Sequence, residues 1–177
     1  MHIIDLTIEQ FNNFVLDHPM RNYCQSLDYA LLKGQEGYDY ELIGYGDENR
    51  IYAASLILTK KMGYKCYYGY APKGFLIDYN NEVLLNNFVK DLTEYFNKKD
   101  YVFIKINPEI AIGEVNLKTF NTEYNNNYQI IQYLQNCGFK KLKNNLNFES
   151  LFPRFTGIIP LKKFDINYHF YTHKDNK

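Results

Sequence analysis

The sequence has no tryptophan, only three cysteines and no surplus of either charge. Each shortage excludes something. Lysine plus arginine comes to 20, and aspartate plus glutamate also to 20. A general nucleic-acid binder is therefore disfavoured, because phosphate backbones attract a basic surplus. Cys24, Cys66 and Cys137 stand far apart, with no Cys-x-x-Cys and no paired histidine nearby. Neither a zinc site nor a redox pair is indicated, and the three read as small core residues. His169 and His173 have i, i+4 spacing but lack an acidic ligand at a matching distance, so no metal is expected. No apolar run approaches the roughly 20 residues needed to cross a bilayer. The start, Met1-His2-Ile3-Ile4-Asp5, lacks the basic-then-apolar pattern of a signal peptide, so a cytoplasmic location is expected. No Ser-His-Asp order or Cys-His pair suggests a covalent catalyst.

What is present is a large aromatic fraction, with 18 tyrosines and 13 phenylalanines. An AT-rich genome produces that composition without functional demand; a tyrosine-lined polar cleft is the sharper reading. With 177 residues, 46% of them hydrophobic, the chain suits one domain with a real core. Residues 138–177 carry eight basic and three acidic side chains, against twelve and seventeen over residues 1–137. The tail is thus basic and the body acidic, which fits a solvated surface first and anion binding second.

Thr7 has the position of a helix N-cap, followed by Ile8, Phe11, Phe14 and Val15 on one helical face, with Pro19 closing the helix. A second helix starts near Ser26 and carries Leu27, Ala30 and Leu31 up to Gly34 and Gly37. Residues 38–45 and 50–58 are rich in β-branched and aromatic side chains. The turn Gly46-Asp47-Glu48-Asn49 joins them as a hairpin. Residues 65–70 form a third strand, broken by Pro72 and Gly74. The longest helix is expected over 81–97, with Val83, Leu84, Phe88, Leu92, Tyr95 and Phe96 on its apolar face. A strand follows over 101–106, with Val102, Ile104 and Ile106 on one face, Phe103 on the other, and Asn107-Pro108 stopping it. A loose segment leads to a helix over 128–136 with Gly138 as its left-handed cap. A further strand is expected from Phe139 onward. The order α-α-β-β-β-α-β-α-β means a mixed α/β domain with helices packed on a central sheet.

Four stretches resemble the Fem family of aminoacyl-tRNA-dependent peptidyltransferases of peptidoglycan synthesis. Residues 22–33 (NYCQSLDYALLK) are similar to the family's early Gln-Ser helix ending in lysine. Residues 67–79 (YYGYAPKGFLIDY) resemble its Tyr-Xaa-Pro-Arg-Gly-Pro-Xaa-Xaa-Asp element, the most specific of the four. Residues 103–108 (FIKINP) resemble its strand ending in Asp-Pro. Cys137-Gly138-Phe139 with residues 152–156 (FPRFT) resemble its Gly-Phe and Pro-Arg elements. Three departures stand out: Lys73 replaces the usual arginine, Phe75 the usual proline, and Asn107 the usual aspartate.

The resemblance implies an acetyltransferase-like (GNAT-type) fold. Family members have two such subdomains, and this chain has room for one. Residues 1–152 are expected to be the first, with 153–177 a basic tail leading toward a second. The implied acceptor is a muropeptide precursor carrying a diphosphate, nucleotide-linked or lipid-linked. The implied donor is aminoacyl-tRNA, used once a second half is supplied, and no cofactor is implied. Lys33, Lys73 and Arg154 are candidates for the diphosphate, although each has a plain reading as a solvated charge. Tyr68 and Tyr70, two apart on a strand, share a face and could stack on a base or bond a sugar. Core packing is their alternative. Asp78 is the candidate for binding the stem-peptide amine or taking its proton, or else a carboxylate at a helix N-terminus. Two other functions compete. An acyl-CoA-dependent N-acyltransferase needs a glycine-rich strand–helix turn, and the stretch after residue 106 does not supply one. A non-catalytic interaction module would use exposed apolar surface, with a homodimer as the expected partner state.

Overall fold

The computed structural model describes residues 1–116 and 118–141. These form a five-stranded sheet in the order β1-β2-β3-β4-β5. The strands are β1 (His2–Asp5), β2 (Asp39–Gly46), β3 (Ile51–Lys61), β4 (Tyr67–Ala71) and β5 (Tyr101–Ile106). Neighbours from β1 to β4 pair antiparallel, and β4 pairs parallel with β5. A parallel neighbour requires a crossover. Helix α3 (Glu82–Asn97) supplies it.

Helix α1 (Ile8–Asp17) starts on a capping box. The Thr7 hydroxyl accepts from the Gln10 amide at 3.2 Å, and the Gln10 side chain accepts from the Thr7 amide at 2.9 Å. Phe11 is fully buried, Phe14 and Val15 are half-buried, and Ile8 points to solvent, so the apolar face is narrower than the spacing suggests. Helix α2 (Leu27–Gly34) is capped by Ser26, whose hydroxyl accepts from the Tyr29 amide. Helix α4 is Gln129–Asn136, with Gly138 at φ +95° just beyond it, as expected.

The core lies between the sheet and α3 with α4. Ile43, Ala53, Ile57 and Ala71 from the sheet meet Leu85, Phe88, Leu92 and Phe96 of α3 and Ile130 of α4. The opposite sheet face carries Leu42, Leu56 and Leu58, buried beneath α1 and α2. Helices on both faces of a mixed sheet give the mixed α/β arrangement that was expected.

Three details differ from the sequence reading. Strand β1, only four residues long, was not expected. The loose segment contains a small antiparallel hairpin, β6 (Gly113–Val115) with β7 (Thr122–Tyr124). In β5 the register skips a residue: Tyr67 pairs with Tyr101, and Tyr68 with Phe103. Val102 falls in the irregularity and is 63% exposed, while Ile104 and Ile106 pack on the core. The simple alternation that put Val102 with them therefore fails. Residues 139–141 form no strand. The rest of that expected strand, the boundary near 152, Arg154, His169 and His173 lie outside the described residues.

Candidate functional site

In open α/β sheets, ligand sites gather beyond the carboxyl ends of parallel strands. Here the chain leaves β4 at Pro72 and β5 at Asn107, and one side chain joins the two exits. The Asn107 Oδ1 accepts from the Tyr70 hydroxyl at 3.1 Å and from the Lys73 amide at 2.9 Å. Lys73 sits at φ 55°. That left-handed conformation is uncommon for a residue with a Cβ, and the bond to Asn107 helps hold it.

A second pin comes from Gln25, which is completely buried. Its Nε2 donates to the Pro72 carbonyl at 2.7 Å and the Leu56 carbonyl at 3.3 Å. Its Oε1 accepts from the Leu56 amide at 2.8 Å and the Ser55 hydroxyl at 3.4 Å. A buried amide with both ends satisfied locks three chain segments in one arrangement. Gly74 is part of that lock. A Cβ there would lie 2.8 Å from Gln25 Nε2 and 3.0 Å from Ser55 Oγ.

Around this scaffold lies a basic, tyrosine-rich shelf on the α2 side of the sheet. Lys33, in the last turn of α2, and Lys73 both lie within electrostatic reach of the Cys24 thiol. Burial pushes that thiol up, and Lys73 pulls it back. Lys33 donates to both Glu36 carboxylate oxygens, at 2.7 and 2.8 Å, and this pairing raises its own pKa. Lys73 pairs with Glu109 at 3.3 Å, and Glu109 also accepts from Asn22 Nδ2 at 2.8 Å. The Tyr68 ring stacks on Phe103, with centroids 5.5 Å apart and planes at 17°. Its hydroxyl meets that of Tyr38 at 3.0 Å. Lys60 lies over the Tyr38 ring and Lys105 over the Tyr70 ring. Burial, above all, raises the pKa of Tyr68 and Tyr70, so both stay neutral donors at ordinary pH.

Next to the shelf is a cleft of about 520 Å³ lined by His18, Tyr52, Asp78, Asn80, Glu109 and Asn127, among others. Its charged lining is acidic. Asp78 is exposed and its Oδ1 accepts from the Asn80 amide at 3.0 Å. It does not cap α3; Asn81 does, accepting from the Leu84 amide at 3.0 Å. His18 stacks on Phe14, and its Nδ1 accepts from the Met20 amide at 3.2 Å. Burial lowers the His18 pKa, partly opposed by Asp78. Glu109 belongs to both regions: it pairs with Lys73 on the shelf and lines the cleft beside Asp78.

The fold therefore brings Lys33, Lys73, Tyr68 and Tyr70 onto one shelf and sets Asp78 in the adjoining cleft. Tyr70 is 8% exposed and its hydroxyl is committed to Asn107, so its contribution is to hold the Lys73 turn. Sequence reasoning missed Gln25, Tyr29, Tyr38, Phe103 and Glu109 as parts of the site. Gln25 and Tyr29 lie inside the Gln-Ser stretch and Phe103 opens the stretch 103–108, so those three carried a signal, whereas Tyr38 and Glu109 carried none. A second cavity, of about 270 Å³ among Glu41, Lys99 and Tyr101, opens at the other end of the strands. Two of its charges meet each other: Lys99 pairs with Glu41 at 2.6 Å, and the Tyr101 hydroxyl donates to the same carboxylate at 2.8 Å.

The domain is thus a mixed α/β sheet with one parallel βαβ pair and a polar surface at the carboxyl ends of that pair. The chain belongs to the FemAB family, whose sequence model matches residues 6–175. The aminoacyltransferases FemA of Staphylococcus aureus strains bovine RF122 / ET3-1 and MW2 are each 26% identical to it over 164 residues. Those alignments cover 92% of this chain and 39% of each relative, so the chain spans about two fifths of their length. The crystal structure of FemX has the same fold over 79% of this chain and 32% of its own, with a TM-score of 0.63 and 23% identity. Among the described residues, no helix is long and apolar enough to cross a membrane.

Proposed function

We propose that this domain binds the acceptor in an aminoacyl transfer of peptidoglycan synthesis, a muropeptide precursor bearing a diphosphate at one end and a stem-peptide amine at the other. The observation that carries this reading is the juxtaposition of a basic shelf and an acidic cleft, with the Lys73–Glu109 pair on their border. Such a site matches a ligand that is anionic at one end and cationic at the other.

In this reading Lys33 and Lys73 take the diphosphate through charge-assisted hydrogen bonds. Tyr68 and Phe103 offer aromatic surface to the sugar or base, and Arg154 remains a further candidate for a phosphate. Asp78 holds the incoming ammonium and accepts its proton. The neutral amine nitrogen then attacks the carbonyl carbon of an aminoacyl-tRNA ester, the C–N bond forms, and the C–O bond breaks as the tRNA ribose oxygen leaves as a hydroxyl, taking up the second proton that the nitrogen gives up. The ester is already activated, so holding amine and ester together supplies much of the rate. The tRNA site belongs to the second half of a full-length relative. This reading also assigns the chain to the cytoplasm.

Acyl-CoA is the weaker candidate for a stated reason. The stretch after residue 106, where the sequence places the strand–helix junction, leads instead into β6; the junction where a pyrophosphate cradle would form is the loop after β4. Four successive amides of it are already used: Lys73 N donates to Asn107, Gly74 N to Ala71, Phe75 N to Tyr79 and Leu76 N to Ala54. Calorimetric titration with a nucleotide-linked muropeptide tests the proposal, with acetyl-CoA run in parallel. Muropeptide binding that Lys73→Ala weakens at least tenfold is expected. Binding of acetyl-CoA alone would contradict it.

A further inference from the structure

The two lysines assigned to the diphosphate are each held by a glutamate. Lys33 and Lys73 have side chains only 15% and 16% exposed, whereas their partners Glu36 and Glu109 are 55% and 54% exposed. The lysine stems are covered and fixed in place, with the Lys33 ammonium 5.7 Å from the Tyr29 ring centre. The carboxylates sit at the rim with room to leave. Glu36 lies just past the end of α2, within the turn where the Gly37 amide donates to the Gly34 carbonyl. Glu109 lies in the segment that follows β5.

We propose that Glu36 and Glu109 are built-in competitors for the anionic end of the ligand, occupying the two lysines until a diphosphate displaces them. This rests on the proposed diphosphate role of Lys33 and Lys73. A carboxylate carries one charge and a diphosphate several, so the exchange favours the ligand. With the carboxylate partners exposed at the rim, these ion pairs are weak enough to be displaced. A monoanion gains little from the exchange, so the glutamates raise selectivity for the doubly phosphorylated ligand.

Glu109 gives the exchange a second consequence. When phosphate takes Lys73, Glu109 retains its bond to Asn22 and its Oε1 is released at the cleft that Asp78 also lines. The cleft then offers the amine a second carboxylate, Glu109, in addition to Asp78. Anion binding on the shelf strengthens ammonium binding in the cleft, and by linkage the reverse holds equally.

The test is calorimetric titration of the full chain with pyrophosphate and with orthophosphate at low salt. It compares the unmodified protein with Glu36→Gln, Glu109→Gln and the double variant. These changes are nearly isosteric and at exposed positions, and matching thermal midpoints check that each variant folds. Each single variant is expected to bind pyrophosphate about 2- to 5-fold more tightly, and the double variant more tightly still. The gain for orthophosphate is expected to be smaller. Unchanged or weaker pyrophosphate binding in the glutamine variants, with Lys33→Ala and Lys73→Ala still abolishing it, overturns the competition while leaving the lysine assignment standing. Pyrophosphate binding that is absent, or indifferent to both lysines, overturns the two together.

Discussion

Asn107 shows how much of this site depends on single polar atoms. One carbonyl oxygen accepts from both the Tyr70 hydroxyl and the Lys73 amide, tying the exits of β4 and β5 together. An aspartate at this position, usual in the family that the sequence resembles, could accept the same two bonds. Asn107→Leu strands both donors, and each stranded buried group costs about 1–3 kcal/mol. Urea unfolding should show a loss of that order for Asn107→Leu and a clearly smaller one for Asn107→Asp. Equal losses would mean the acceptor geometry is unimportant. Residue-level legibility was uneven. Lys33, Lys73 and Asp78 are reached through the resemblance of their stretches to the Fem family's motifs. Glu109, Tyr38 and Phe103 are not, because they join the site only through strand pairing and loop closure across long stretches of chain. The Phe75 departure also acquires a reason. Its amide donates to the Tyr79 hydroxyl at 2.6 Å, a bond that a proline could not make.

The elements were more legible than the contacts between them. Helix α1 announced itself through Thr7 and α3 through a wide apolar stripe; β5 was delimited by Asn107-Pro108 and the exit turn before it. What failed were short or irregular pieces. Four residues are too few for β1 to show a period, and the irregularity at Val102 breaks the alternation on which the face assignment of β5 relied. The loop between β4 and α3 is the element on which function depends most, and its path rests on Gln25 meeting Gly74. Gly74→Ala forces a methyl to within 2.8 Å of the Gln25 side chain. Overpacking of this kind costs about 1–3 kcal/mol. The variant should fold with a lowered thermal midpoint and weakened muropeptide binding, since Lys73 is the adjacent residue. A midpoint and affinity equal to those of the unmodified protein would show that the lock is slack.

The abundance of tyrosine gives the whole molecule an alkaline limit. Tyr45 is pushed up to about 12 by burial and by its hydrogen bond to Asp91. Burial likewise raises Tyr29, Tyr70, Tyr79, Tyr95 and Tyr101. A raised folded-state pKa means that folding favours the neutral phenol. The stabilisation is fully present below the unfolded tyrosine value of about 10 and is lost as pH rises through the folded values. Thermal midpoints should therefore hold up to about pH 10 and fall steeply above it, with the fall reduced in Tyr45→Phe; a flat profile through pH 12 would refute this. Composition flagged the tyrosines, but only the fold separates those in the core from those facing the shelf. The separation of a basic shelf from an acidic cleft is likewise a property of the folded molecule, since the overall charge is zero.

That separation is the centre of the account, and a structure of the domain with a nucleotide-linked muropeptide tests it most directly. The account predicts the diphosphate against Lys33 and Lys73, Glu36 and Glu109 moved off them, and the stem-peptide amine within hydrogen-bonding distance of Asp78. A ligand bound in the reverse sense, or seated at the other end of the strands among Glu41, Lys99 and Tyr101, would contradict it.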